Sequence, residues 1–481
     1  MLWENNLNAD TAPYSTGLVL YLLSGGHMLF PQPEQCKHFM KLFPPIFLTQ
    51  IAQVGTAVFS SIFSGQAGTI DLAGVAVGVN IWYPIFAGIS GIFFGITPIL
   101  AQLRGARKLE RIPFYIMQSI YIAAFFSLFI LAAGYLVIDP FLSWLTLEPS
   151  VREIASGYMH ALGIGVFPLF MIATLRNIVD AHGKTHISMT ILLLNMATTI
   201  VLFRFLIFGG MGIPPMGGIG AGYAISIAAW ISLFVFIILF QKISPFNSYH
   251  IWTRLRPVMF ILWIQQLRLG LPICIAIFCE TSLFSIVGLL MSEYGTVFLA
   301  ANQAAISYST LTYTVPWSLS LAATIVVGYE IGAKHYQAAR QYAVLCQITA
   351  LIIACFTSAA TFIFINPIAS LFTSDTTTFI HIKAFITFAV IFAFCDAMGT
   401  PVQGILRGYK DVKSITWIAF ITYWIISLPL GLGLSHWTTL GAYGYWVGFI
   451  ISLGIAAIAY NTRLWCHTAH IYQEKGDQPN D

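Results

Sequence analysis

The sequence predicts an all-α membrane protein: twelve transmembrane helices in two six-helix lobes related by a parallel pseudo-two-fold repeat. Three observations carry this. The 481 residues are 58% hydrophobic and 8% charged, with a mean hydropathy of +0.81, against about 25% charged in an ordinary soluble domain. From Pro45 onward, charge-poor runs of about twenty or more residues recur, each long enough to cross a hydrocarbon core. The second half of the chain repeats the first at a nearly fixed displacement. Helices follow rather than a barrel, because a bilayer offers backbone groups no water and the runs lack period-two alternation.

The chain opens MLWENNLNAD, polar and acidic, without the basic start of a secretory signal. The apolar run Leu18 to Phe30 is short and interrupted by Gly25 and Gly26, so residues 1–44 read as an amphipathic or irregular extension. The first lobe, 45–241, is expected to hold helices at 45–66, 72–102, 114–138, 155–178, 187–208 and 219–240. A charged connector over 242–267, containing SPFNSYHIWTRLRP, separates it from the second lobe, 268–463. There the helices are expected at 268–292, 298–328, 341–364, 380–406, 414–434 and 441–463, followed by a tail over 464–481.

Basic residues set the orientation. Lys37 and Lys41 precede the first helix; Arg104, Arg107, Lys108 and Arg111 follow the second; Arg176 and Lys184 the fourth; Lys242, Arg254, Arg256 and Arg268 the sixth. Lys334 and Arg340, then Arg407, Lys410 and Lys413, then Arg463 and Lys475 continue on the same side. Of 22 Lys and Arg, only Arg152, Arg204 and Lys383 fall opposite. Both termini are therefore expected in the cytoplasm, with the chain in a bacterial-type inner membrane. Topology accounts for the net charge of +4, so nucleic acid is not an expected partner.

PIFLTQIAQ from Pro45 aligns with PICIAIFCE from Pro272, a shift of 272 − 45 = 227, and the same shift lays Asp71 on Phe298 and Gly105 on Gly332. LRNIVD from Leu175 matches LRGYKD from Leu406 at 406 − 175 = 231, which implies a four-residue insertion. Six helices per copy means that both copies enter the membrane the same way, the arrangement of transporters that rock one lobe against the other around a central site.

Seven scattered cysteines without ligand spacing and eleven histidines at span ends and loops read as packing and interfacial groups. No HExxH, GxSxG, P-loop or selectivity-filter pattern occurs, so neither an enzyme nor a channel is expected, and no cofactor. Two acids stand apart. Glu280 and Asp396 lie inside apolar stretches, twelve residues beyond Arg268 and eleven before Arg407, which puts each about 16 to 18 Å from the basic face. An ionised carboxylate at that depth is costly unless it meets water, a cation or a partner. A pair can bind a monovalent cation with hydroxyl or carbonyl help, or exchange protons; two protonated packing residues are the bland alternative. The first-lobe counterparts are Gln53 and, by the 231 shift, Gly165, so the ion site belongs to the second lobe alone. Gln53, Asn302 and Gln303 are candidates for lining a cavity, and Arg176, Asp180, Arg407 and Asp411 for a cytoplasmic gate, with helix glue and local pairing as the plainer readings.

AQVG at Ala52, PILAQLRGA at Pro98, IPFYIMQ at Ile112, GYMHA at Gly157, LRNIVDAHGKT at Leu175, GGIGAGYA at Gly217, FCETSLFSIVGLL at Phe278 and LRGYKD at Leu406 together resemble the multidrug and toxic compound extrusion (MATE) family, in its NorM-like branch, over Pro45 to Trp465. A monomer is expected, and the resemblance implies an antiporter that exports organic cations and drugs in exchange for Na⁺ or H⁺, with Glu280 and Asp396 serving cation coupling and holding Na⁺ if that is the ion. One departure is visible. Many members carry an Asp in the first helix, where this chain has Ser60 and Ser61. The competing expectation is a flippase of the wider superfamily moving a lipid-linked oligosaccharide, which would need basic cavity walls for phosphates.

Overall fold

The computed structural model describes residues 31–145, 147–210, 212, 214–373 and 375–475; the apolar run from Leu18 to Phe30 lies outside them. Among the described residues, twelve helices are long and apolar enough to cross a membrane. They are α1 (Pro33–Ala67), α2 (Thr69–Gly105), α3 (Leu109–Trp144), α4 (Pro149–Ala181), α5 (Thr185–Phe208) and α6 (Gly217–Lys242), then α7 (Phe260–Leu290), α8 (Thr296–Gly332), α9 (Tyr336–Ile363), α10 (Thr376–Gly408), α11 (Val412–Trp437) and α12 (Tyr443–Lys475). A short helix, Ile365–Ser370, follows α9.

Two helices start two turns or more before the apolar runs suggest. α1 begins at Pro33 and passes through Pro44 and Pro45, and α7 begins at Phe260, two turns before Arg268. Tertiary contacts hold both extensions. In α1, Gln35 donates to Gln341 Oε1 at 2.9 Å and His38 meets the Tyr342 hydroxyl at 3.1 Å, while Phe39, Leu42 and Phe43 are buried. Before and along α7, Gln118 donates to Pro257 O and accepts from the N–H groups of Met259 and Trp263, each at 2.9 Å. The connector is thus strapped to the first lobe.

The repeat is more regular than sequence matching indicates. The pairs α1 and α7, α2 and α8, α4 and α10, and α5 and α11 start 227 residues apart (260 − 33, 296 − 69, 376 − 149, 412 − 185). The left-handed residues that end two corresponding helices, Arg107 and Lys334, keep the same spacing, as do Gly183 and Lys410 after α4 and α10. The four-residue insertion inferred from LRNIVD and LRGYKD is therefore absent, and the LR identity arose from chance in an apolar run. With one shift throughout, Asp396 corresponds to Leu169 rather than Gly165, and Asp180 to Arg407 rather than Asp411.

The lobes meet along the basic halves of α2 and α8. Residues 91–101 are buried without interruption, and so are residues 318–328, again 227 apart. Close backbone approach needs glycine here. A Cβ on Gly105 would sit 1.9 Å from Tyr329 O, and one on Gly332 would sit 2.1 Å from Gln102 O. Gln102 donates to Gly408 O at 2.8 Å across the same seam. Toward the opposite ends burial lapses on both helices: Tyr83 on α2 and Gln303, Ser307 and Thr310 on α8 are exposed.

Candidate ion site in the second lobe

α10 delivers Asp396 to the interior, where it is 3% exposed and accepts a hydrogen bond from Thr400 Oγ1, one turn on, at 2.5 Å. α7 delivers Glu280, half-buried, to the wall of a small cavity of about 10 Å³ bordered by Phe284, Phe392, Tyr423, Phe449 and Ser452. That is room for about one water molecule or an ion of similar size. Tyr313 of α8 faces Glu280, and the two carboxylates are within electrostatic reach of one another. Among the described residues no group of three or more His, Cys, Asp and Glu could hold a metal. Two carboxylates with Thr400, Ser452 and Tyr423 hydroxyls nearby suit a monovalent cation or a proton.

Tyr423 reaches this cavity from a feature that the hydropathy pattern does not disclose. α11 widens to a π-helical stretch over Ile421–Ser427. Pro429 lies two residues past it and can donate no hydrogen bond to Ile425 O, which frees the helix from its usual spacing. Stretches of this type recur at functional sites. Pro429, six residues after Tyr423, is the one trace of it in the sequence.

The other candidate residues fall in separate places. Gln53 is exposed on α1. Asn302 is buried and accepts from Trp446 Nε1 at 2.9 Å, which joins α8 to α12. Gln303 borders a different cavity, of about 390 Å³, with Ser307, Phe372 and Thr378 near the ends opposite the basic face. Arg176 and Asp180 form a buried pair at 3.8 Å within α4. Asp411 does not meet Arg407; it accepts from Arg463 of α12 at 2.6 Å and from Ser414 at 2.8 Å. Ser60 is buried and Ser61 donates to Ala57 O, so no acid occupies this part of α1.

Arg407 departs furthest from expectation. It closes α10, yet it is 2% exposed and folds back, because Cα–Cβ bonds tilt toward a helix N-terminus. Its Nε donates to Gln403 O at 3.3 Å and its Nη2 to Ser320 Oγ at 3.1 Å. The guanidinium lies 5.0 Å from the Trp317 ring and 5.8 Å from Phe94 of the first lobe. A base therefore stands within electrostatic reach of Glu280.

Comparison with known proteins agrees with this architecture. The family model described as MatE matches twice, over residues 45–206 and 272–432, the two starts again 227 apart (272 − 45). The chain is 43% identical over 431 residues to a probable multidrug resistance protein NorM of Oceanobacillus iheyensis, covering 90% of this chain and 96% of that one. It is 41% identical to a protein of the same name from Halalkalibacterium halodurans, over 90% and 94%. A solved outward-facing conformation of a multidrug resistance MATE family transporter of the MOP superfamily superposes with a TM-score of 0.84 at 19% identity, covering 93% of this chain and 99% of that one. The chain belongs to the MatE, or multidrug and toxic compound extrusion, family, in its NorM-like branch.

Proposed function

We propose that this protein is a secondary active multidrug antiporter of the inner membrane, exporting organic cations and drugs in exchange for Na⁺ or H⁺ by alternating access, with both termini in the cytoplasm. The observation that carries the reading is the pair of acids inside the second lobe, half-buried Glu280 on an ion-sized cavity and buried Asp396 within electrostatic reach of it. Uptake of a cation neutralises the pair and release restores its charge, and each state favours a different packing of the lobes. The relatives' printed name, multidrug resistance protein, supports the drug as cargo. Lobes joined at the basic ends and exposed at the opposite ends suit an outward-open state, as in the outward-facing relative. Arg407 is buried in protein rather than lining an open wall, so it is not placed to meet a lipid phosphate.

Gradient-driven efflux of ethidium from proteoliposomes tests this reading. Asp396→Asn and Glu280→Gln should each abolish ion-driven efflux at normal expression, and the double variant should be little worse than either, because groups of one site are non-additive. Ser60→Ala and Gln53→Ala should retain substantial coupling. Full gradient-driven efflux in Asp396→Asn, with loss in a first-lobe variant, would place the coupling site elsewhere.

A further inference from the structure

Two chains of contact join the acids to one buried arginine. On one side Thr400 Oγ1 donates to Asp396, the Thr400 carbonyl accepts from Ser320 Oγ at 2.7 Å, and Ser320 Oγ accepts from Arg407 Nη2. On the other, Tyr313 faces Glu280 and stacks at 5.9 Å on Trp317, the ring that Arg407 covers. Arg407 Nη1 is buried with no hydrogen-bond partner, so no acid already satisfies this cation. Asp411, the carboxylate next along the chain, is taken by Arg463. The remaining acids of the second lobe, Glu293, Glu330 and Asp375, lie at helix ends, and Arg268 is exposed.

We infer that Arg407 is the resident counter-charge of the Glu280 and Asp396 pair and limits the site to one monovalent cation per cycle. A buried site tends to neutrality, since uncompensated charge in a low dielectric is costly. Two carboxylates and one guanidinium carry one net negative charge, which a single Na⁺, proton or monovalent drug cation cancels. Exchange of a monovalent drug for the ion is then electrically silent. The guanidinium also touches Phe94 of the first lobe, so the charge that balances the ion sits on the seam that must move. Arg407 acts here as a positioning residue, through the acids and not on the drug.

The inference rests on the antiport reading above, and charge counting separates the two. Cations held by full-length purified protein in detergent are counted, ²²Na⁺ by equilibrium dialysis or protons by titration, before and after saturation with ethidium. Wild type and Arg407→Lys should hold one cation and release it to ethidium, Arg407→Gln should hold two and release one, and Glu280→Gln should hold none. The double variant Glu280→Gln with Arg407→Gln should recover a holding of one, a restoration that a merely structural arginine would not give. In proteoliposomes, ethidium efflux by wild type should not respond to a membrane potential set with valinomycin. Two cations released by wild type, or no recovery in the double variant, overturns the inference. Absence of any cation exchange in wild type overturns the antiport reading instead.

Discussion

Single side chains divide sharply by how visible they were in the sequence. Glu280 and Asp396 were legible because a charge inside an apolar run has few explanations. Arg407 was not, because its position at the end of α10 suggested a cytoplasmic marker, and only the backward lean of its side chain brings it inside. His182, just past α4, shows the same gap. It is buried, its Nδ1 lies 2.7 Å from Ile178 O, its Nε2 lies 3.0 Å from the Tyr249 hydroxyl, and its ring packs edge-on against Phe246 at 4.9 Å. Burial first, then the nearby Arg104 and Lys184, hold its pKa down at about 4, against the partial support of the Ile178 carbonyl. A folded pKa below the ordinary 6.5 means that the unfolded chain binds the proton more readily. Stability is then complete above about pH 6.5 and falls as pH drops toward 4, by about 3 kcal/mol when fully titrated. Thermal unfolding scans across that range should show a larger acid-side loss in wild type than in His182→Asn, and equal slopes would exclude this role. Substrate charge is a second test at this scale. Cells expressing the protein should resist cationic dyes and not matched anionic ones, and equal resistance to both would count against an acid-lined path.

Helices were found by hydropathy and positioned by packing, so their number was legible and their limits were not. Nothing in the composition of residues 33–44 marks a membrane helix; Gln341 and Tyr342 of the other lobe fix it as one. The π-helical stretch of α11 was hidden for a related reason, since hydropathy is blind to hydrogen-bond spacing. Removing one residue from it, such as the exposed Ile425, should restore ordinary helical spacing and turn Tyr423 from the cavity. We expect that deletion to fold, to keep drug binding and to lower coupled efflux at least tenfold; unaltered coupling would show the stretch to be incidental. At the seam, Gly105→Leu would place atoms where Tyr329 O now lies. Overpacking of that kind costs about 1 to 3 kcal/mol, a shift of about fivefold to 150-fold toward the state with the basic ends apart. A cysteine at Ala333 should then react with a maleimide faster by a similar factor, and an unchanged rate would mean that the glycines do not set the closure.

For the whole molecule, the two-lobe repeat was legible from a handful of matched segments, yet its single displacement emerged only from helix starts and turn residues, because apolar sequences match by accident. The orientation remains testable by labelling. Cysteines replacing Lys108 and Asp375, exposed at opposite ends, should react with an impermeant reagent from opposite sides of the membrane, Lys108→Cys only from the cytoplasm. Reaction of both from one side would reverse the reading of the basic residues. The reciprocal glycine contact has a mechanical consequence. α8 runs 37 residues from Thr296 to Gly332, with Pro316 inside it, about 55 Å in all, and it is held at its Gly332 end. It behaves as a long lever on a short fulcrum: a tilt of about 10° there sweeps the far tip by about 10 Å, the width of a flat aromatic drug. A displacement of tenths of an ångström where Gly105 and Gly332 touch is thus geared into an opening at the far side, without any helix having to unwind to let cargo through.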